Sequence, residues 1–323
     1  MGATVMNRYH KKLIEFLKLS KNFDVKIALQ YIKNRHTLGH EEFSVYMQQH
    51  LESYFSPVID FYKNGGIDLY PIKKCKSLES NIVWVCWWQG ENSMPDVVHM
   101  CVKQIRSLCR KVPEVTFVLI TKDNYSEYIE LPRFTIDKLN KGIINLTSFS
   151  DILRQCLLST YGGAWIDSTV ICTSIKGIEQ LFQAPYFSIK IEKEKVNRAS
   201  EGQVVTSGRW AGFFLNNVGT NLFAFVRDCL LYYWEKQDYL IDFYMQNYCI
   251  KIAVDNFSEV RGMVDSQPLF CNYVYYIEEC FKNGRELELK EDTYFYKLSY
   301  KIFDEKQIKQ LKDYLKKKDI LVD

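Results

Sequence analysis

No stretch of this 323-residue sequence stays apolar long enough to cross a bilayer as a helix. The opening residues, M-G-A-T-V-M-N-R-Y-H, lack the apolar core of a secretory signal, so the chain is expected in the cytoplasm. None of the ten cysteines forms a C-x-x-C pair, which argues against a zinc cluster. Several cysteines fall on apolar faces, where a free thiol packs as a small hydrophobe, and reduced thiols suit that compartment. No histidine follows His99, so chemistry in the later part of the chain needs a different general base. His36 and His40 are four apart with Gly39 between them, and a solvent-facing pair is the better reading than a metal site. Neither G-x-G-x-x-G nor G-x-x-x-x-G-K-S/T occurs, so the glycine-rich phosphate cradles of dehydrogenases and P-loop enzymes are absent. The formal net charge of +3 is too small to point to nucleic acid.

What is present is a large apolar fraction. Hydrophobic residues make up 47% and aromatics 15% of the chain, enough to build a full core. Residues 5 to about 62 repeat apolar side chains at helical spacing, as in Leu13, Phe16, Leu17 and then Val25, Ala28, Leu29, Ile32. Asn64-Gly65-Gly66 breaks the pattern. The run from Ile82 to Trp88 reads as a strand buried on both faces. A helix opened by Pro95 follows, and Val115 starts a second buried strand, giving a β-α-β unit of a parallel sheet. Ligands of such sheets bind at the carboxyl ends of strands, which places Trp87, Trp88 and Gln89 at the ligand edge. Two readings of the tryptophans stand, core packing and a platform for a nucleotide base.

The segment from Ser148 to Cys172 reads as helix, tight turn and strand. Ser148 and Asp151 form an S-x-x-D capping box. Asp151 and Arg154 are three apart and share one helix face. Gly162-Gly163 stops the helix, and Ala164 to Cys172 has the composition of a strand. Alternation along that strand puts Trp165, Asp167 and Thr169 on one side. A lone Asp in an apolar strand is costly unless it is paired, hydrogen-bonded or metal-bound; the plainer reading is that Asp167 marks the strand end. Lys193 to Arg209 reads as a charged loop beside the site, and a further strand is expected to end at Asn216-Asn217. Helices are expected over Leu222 to Trp234, Tyr239 to Val254 and Tyr273 to Phe281. Phe303 to Leu321 reads as a lysine-rich amphipathic helix, either packed on one face or lying on an anionic membrane surface. The expected division is a helical region over 1–75, an α/β domain over 76–300 and the terminal helix over 301–323.

F-S-D-I-L-R from Phe149 and Y-G-G-A-W-I-D-S-T-V from Tyr161 strongly resemble the pattern of capsular polysaccharide synthesis proteins. These are bacterial glycosyltransferases of the DXD type, similar to initiating mannosyltransferases and to the glucosylating domains of clostridial toxins. W-W-Q-G-E-N-S-M-P, L-P-R-F-T-I-D-K-L and R-W-A-G-F-F add weaker support, so the likeness covers about residues 78 to 250. The resemblance implies an α/β GT-A-like sheet, a nucleotide-sugar donor that is UDP-linked, a saccharide or lipid-linked saccharide acceptor, and retention at the anomeric carbon. It also implies a divalent metal, Mn2+ or Mg2+, on the diphosphate. Carried over by position, Asp151 meets the donor sugar and Arg154 the sugar or diphosphate. Asp167 is the first acid of the motif and Thr169 stands where many relatives have the second, so Asp167 and Thr169 are the expected metal positions. Asn216 joins the donor-binding set. The alternatives are an inactive nucleotide-sugar or saccharide-binding module and a nucleotidyltransferase, whose lysine- and glycine-rich signature loop is missing.

Overall fold

Four helices open the chain: α1 (Gly2–Asn22), α2 (Val25–Thr37), α3 (His40–Tyr54) and α4 (Ser56–Lys63). They stop where Asn64-Gly65-Gly66 was expected to stop them. The computed structural model describes residues 2–78, 81–189, 214–217, 221–267, 273–291 and 293–321. The expected loop from Lys193 to Arg209 lies outside them. After β1 (Lys73–Lys74) comes the β-α-β unit: β2 (Asn81–Cys86), α5 (Asp96–Cys109) and β3 (Val115–Ile120). Next follow β4 (Ile129–Glu130), α6 (Arg133–Asn140), α7 (Leu146–Tyr161), β5 (Gly163–Ile166) and β6 (Val170–Cys172). The described chain continues with α8 (Ile175–Gln180), β7 (Tyr186–Phe187), β8 (Phe214–Asn217), α9 (Leu222–Lys236) and α10 (Met245–Asn256). It closes with α11 (Ser258–Ser266), α12 (Tyr276–Lys282), β9 (Phe295–Lys297) and α13 (Glu305–Lys317).

The main sheet has the order β3-β2-β5-β8-β7. β2 runs parallel to β3 and to β5, while β8 is antiparallel to both β5 and β7. This is the expected α/β class, with its parallel part confined to three strands. Alternation along β2 explains why it is apolar throughout. Ile82 and Trp84 enter the layer formed with α7, α9, α10 and the N-terminal helices, and Val83 and Val85 enter the opposite layer against α5. The N-terminal helices are tied to α9 by charge as well. Arg227 pairs with Asp68 at 2.6 Å and with Asp228 at 2.8 Å, and Asp228 accepts from the Tyr62 hydroxyl at 2.8 Å. Among the described residues, no helix is long and apolar enough to cross a membrane.

Several local expectations change. Asn145, not Ser148, caps α7, accepting from the Ser148 backbone N–H at 2.9 Å. The helix thus starts earlier, and Asp151 lies in its second turn. The strand expected from Ala164 to Cys172 breaks at Asp167–Thr169, where the Val170 N–H closes a tight turn onto the Asp167 carbonyl at 2.9 Å. β6 then leaves the main sheet and pairs with β9. The helix expected from Tyr239 begins at Met245. α6 forms where no helix was expected.

Candidate functional site

The site lies where the carboxyl ends of β2 and β5 meet the start of α7. A cleft of about 300 Å³ opens there. Cys86, Trp87, Trp88 and Gln89 line one wall, Leu146, Thr147, Ser150, Asp151 and Arg154 a second, and Trp165 with Asp167, Ser168 and Thr169 the third. This is the edge at which parallel sheets bind ligands.

Arg154 is the pivot. It is 5% exposed, a burial that a guanidinium tolerates only when paired. Its Nη2 donates to Asp167 Oδ1 at 3.1 Å and its Nη1 to Gln246 Oε1 at 3.1 Å, while Asp151 Oδ1 lies 3.4 Å from Nη1. The guanidinium also sits 5.1 Å from the Trp165 ring centroid, within cation–π range. Gln246 is itself held by Gln155 Nε2 at 3.0 Å. The expectation that Asp151 and Arg154 share a face holds.

Asp167 ends β5. Its Oδ1 also accepts from the Trp165 indole N–H at 2.8 Å, and its Oδ2 accepts from Lys297 Nζ at 2.8 Å. Both readings of Asp167 are therefore met: it marks the strand end, and it is paired. Burial pushes its carboxyl up, but Lys297 and then Arg154 outweigh burial and hold it below the usual carboxylate range. Asp151 behaves oppositely. Burial is the main cause raising it to about 6; Arg154 pulls down and Asp167 pushes up.

That shift has a sign. A folded-state value near 6 above an unfolded value near ~3.9 means the native state keeps a proton that the unfolded chain has lost. The resulting stability is full below pH ~4 and gone above about 6, a difference of up to about 3 kcal/mol. Asp151→Asn removes this titration, so the drop in melting temperature between pH 5 and pH 8 should shrink in the variant. An unchanged drop would contradict the partly buried, proton-holding environment.

The tryptophans part to the two core layers. Trp88 packs against Phe149, with ring centroids 4.7 Å apart, and Trp87 lies edge-on to Tyr300 at 5.9 Å and donates to Ser93 Oγ at 3.0 Å. β2 ends at Cys86, so both indoles sit in the turn beyond it, half-buried at the cleft. The fully buried tryptophan of β2 is Trp84, whose indole donates to the Gly162 carbonyl at 3.0 Å and fixes the end of α7. Gln89 is exposed on the cleft rim. Thr169 lines the cleft, and its carbonyl accepts from the Leu298 N–H at 2.8 Å. The Asn216 backbone pairs with Ala164 in the main sheet; its side chain lies outside the described set.

A divalent ion does not fit this donor set as it stands. Such an ion needs several oxygen ligands, yet Arg154, Trp165 and Lys297 already take both Asp167 oxygens. Thr169 supplies no second carboxylate. Among the described residues, no group of three or more His, Cys, Asp or Glu side chains is placed to hold a metal. Two residues of this site escaped the sequence reading, Gln246 and Lys297. Lys297 is a charge among apolar neighbours on β9, while Gln246 lies next to Asn247 and has no local signal to mark it.

Neither the curated proteins nor the solved structures give a match to this chain. The family model described as capsular polysaccharide synthesis protein matches residues 32–318, a span holding every site residue named above. The chain belongs to the capsular polysaccharide synthesis protein family.

Proposed function

We propose that the chain is a glycosyltransferase of GT-A-like build that moves a sugar from a nucleotide-sugar donor, UDP-linked, to a saccharide or lipid-linked saccharide acceptor. The observation that carries this reading is the buried Arg154, held by Asp167 and Gln246 at the carboxyl ends of the parallel strands β2 and β5. Breaking a sugar–phosphate bond builds negative charge on the diphosphate. A guanidinium already oriented in a water-poor site stabilises that charge without reorganising. Asp151, one turn away and at the cleft, can accept hydrogen bonds from donor hydroxyls. No histidine is required if the departing phosphate takes the acceptor proton, with retention at the anomeric carbon. Family membership supports the polysaccharide setting. A place at the inner membrane face fits α13, which buries Leu311 and Leu315 and spreads lysines over its outer side.

The test is turnover. Incubating the purified protein with UDP-, GDP- and TDP-linked sugars should release nucleotide from at least one donor, faster with a saccharide acceptor present. No release from any donor would leave the transferase reading without support. The tryptophans give a second check. One of Trp87→Ala and Trp88→Ala should weaken nucleotide binding by ~1–3 kcal/mol, the scale of one stacked base, with melting temperature little changed because both indoles are only half-buried. If neither variant loses affinity, the base lies elsewhere.

A further inference from the structure

Lys297 comes to the site from far along the chain. It sits on β9 opposite Val170, in the strand pair that follows the Asp167 turn. Its own N–H donates to the Val274 carbonyl at 2.8 Å, and the next residue, Leu298, donates to the Thr169 carbonyl at 2.8 Å. The turn carrying the motif acid and the strand carrying the lysine are thus one knitted unit. From there Nζ reaches Asp167 Oδ2 at 2.8 Å.

An ammonium at that distance competes with a divalent ion for the same oxygen. Magnesium would stand at about 2.1 Å from it, and cations that close repel strongly at low dielectric. The charge balance points the same way. Asp151 and Asp167 face Arg154 and Lys297, so two carboxylates meet two cations and leave no surplus negative charge to attract a dication. Thr169, beside Asp167 in the cleft, adds no charge. A diphosphate, in contrast, can draw on this arrangement by exchange. The lysine stem is flexible, and 23% of the side chain is accessible, so the ammonium can turn from the Asp167 carboxylate to a phosphate oxygen while Arg154 keeps Asp167 in place.

Building on the nucleotide-sugar reading, we infer that Lys297, together with Arg154, is the cation that receives the donor's diphosphate, and that this binding needs no divalent ion. Lys297 is then a donor-binding residue. Its contribution is confined to the phosphates and does not extend to the base.

The experiment is calorimetric titration of the full chain with UDP, GDP, ADP and dTDP and with the matching nucleosides, in EDTA and again with Mn2+. The wild type should bind at least one diphosphate in EDTA, with affinity little changed by Mn2+. Lys297→Met should lose about 10- to 100-fold in diphosphate affinity, the range of a hydrogen bond to a charged group, and keep the affinity for the nucleoside. Lys297→Arg should recover most of the loss, and thermal melts of both variants show whether the fold is kept. A lysine that merely braced Asp167 would lower stability without separating diphosphate from nucleoside. Binding of the diphosphate only when Mn2+ is present, or unchanged affinity in a folded Lys297→Met, would overturn the inference and leave the nucleotide-sugar reading standing. Absence of any nucleotide binding, with or without metal, would sink both.

Discussion

Gly163→Ala is expected to destabilise the protein by about 3–5 kcal/mol, the sum of a strained backbone and an overpacked contact. Gly163 has φ +91, and a Cβ there would stand 2.4 Å from the Ile82 carbonyl oxygen. That oxygen belongs to β2, which pairs in parallel with β5 at this point. The methyl group cannot be absorbed by a side-chain rotation, because its obstacle is backbone. β5 must move away from β2, and Asp167 moves with it. Gly142→Ala is the internal control. It shares a positive φ of +68 but meets nothing within 4 Å, so it should cost only the strain, about 1 kcal/mol. Urea unfolding of the two variants beside the wild type reads the difference. Equal losses in both would mean that the close approach of β5 to β2 is not as described.

The second large effect is on Arg154. Removing it leaves the Asp167 carboxylate with Lys297 and the Trp165 indole, and leaves Asp151 without its counterion. Arg154→Ala should therefore cost about 3–5 kcal/mol in stability, as expected when one partner of a buried ion pair is lost. In the folded fraction, transition-state stabilisation should fall by a further ~2–4 kcal/mol. Arg154→Lys separates the two effects. It keeps the charge and loses the fork that reaches Asp167 and Gln246 together, so stability should recover more than turnover does. A turnover loss below about threefold in Arg154→Ala would reduce the residue to a local helix ion pair, a contact worth a few tenths of a kcal/mol.

The parts of the fold that were legible in the sequence are those with strong local signals. β2 and α5 are apolar in the pattern their burial requires, whereas β3, expected to be a second buried strand, lies at the sheet edge with only Val118 and Ile120 buried. α7 ends at Gly162 because no other residue takes that backbone as cheaply, and Asp167 stands out as a charge after A-W-I. What was not legible depends on distance. Breaking of the strand at Asp167 goes with β9, which begins at Phe295, far along the chain, and takes β6 away from the main sheet. Lys297 and Gln246 reach Asp167 and Arg154 across sequence separations of 130 and 92, so no motif spacing could reveal them. α6 and α8 are 8 and 6 residues long, too short for periodicity to separate them from a polar loop. The misplaced cap of α7 has a simpler cause. Asn145 and Ser148 are both good caps, and the local pattern favoured the wrong one.

The proposed function requires the cleft between Arg154, Asp151 and the two tryptophans to hold the donor nucleotide. A crystal structure of the protein soaked with the tightest-binding nucleoside diphosphate tests it most directly. The base should lie against Trp87 or Trp88 and the phosphates beside Arg154. A nucleotide bound anywhere else on the chain, with this cleft empty, would contradict it.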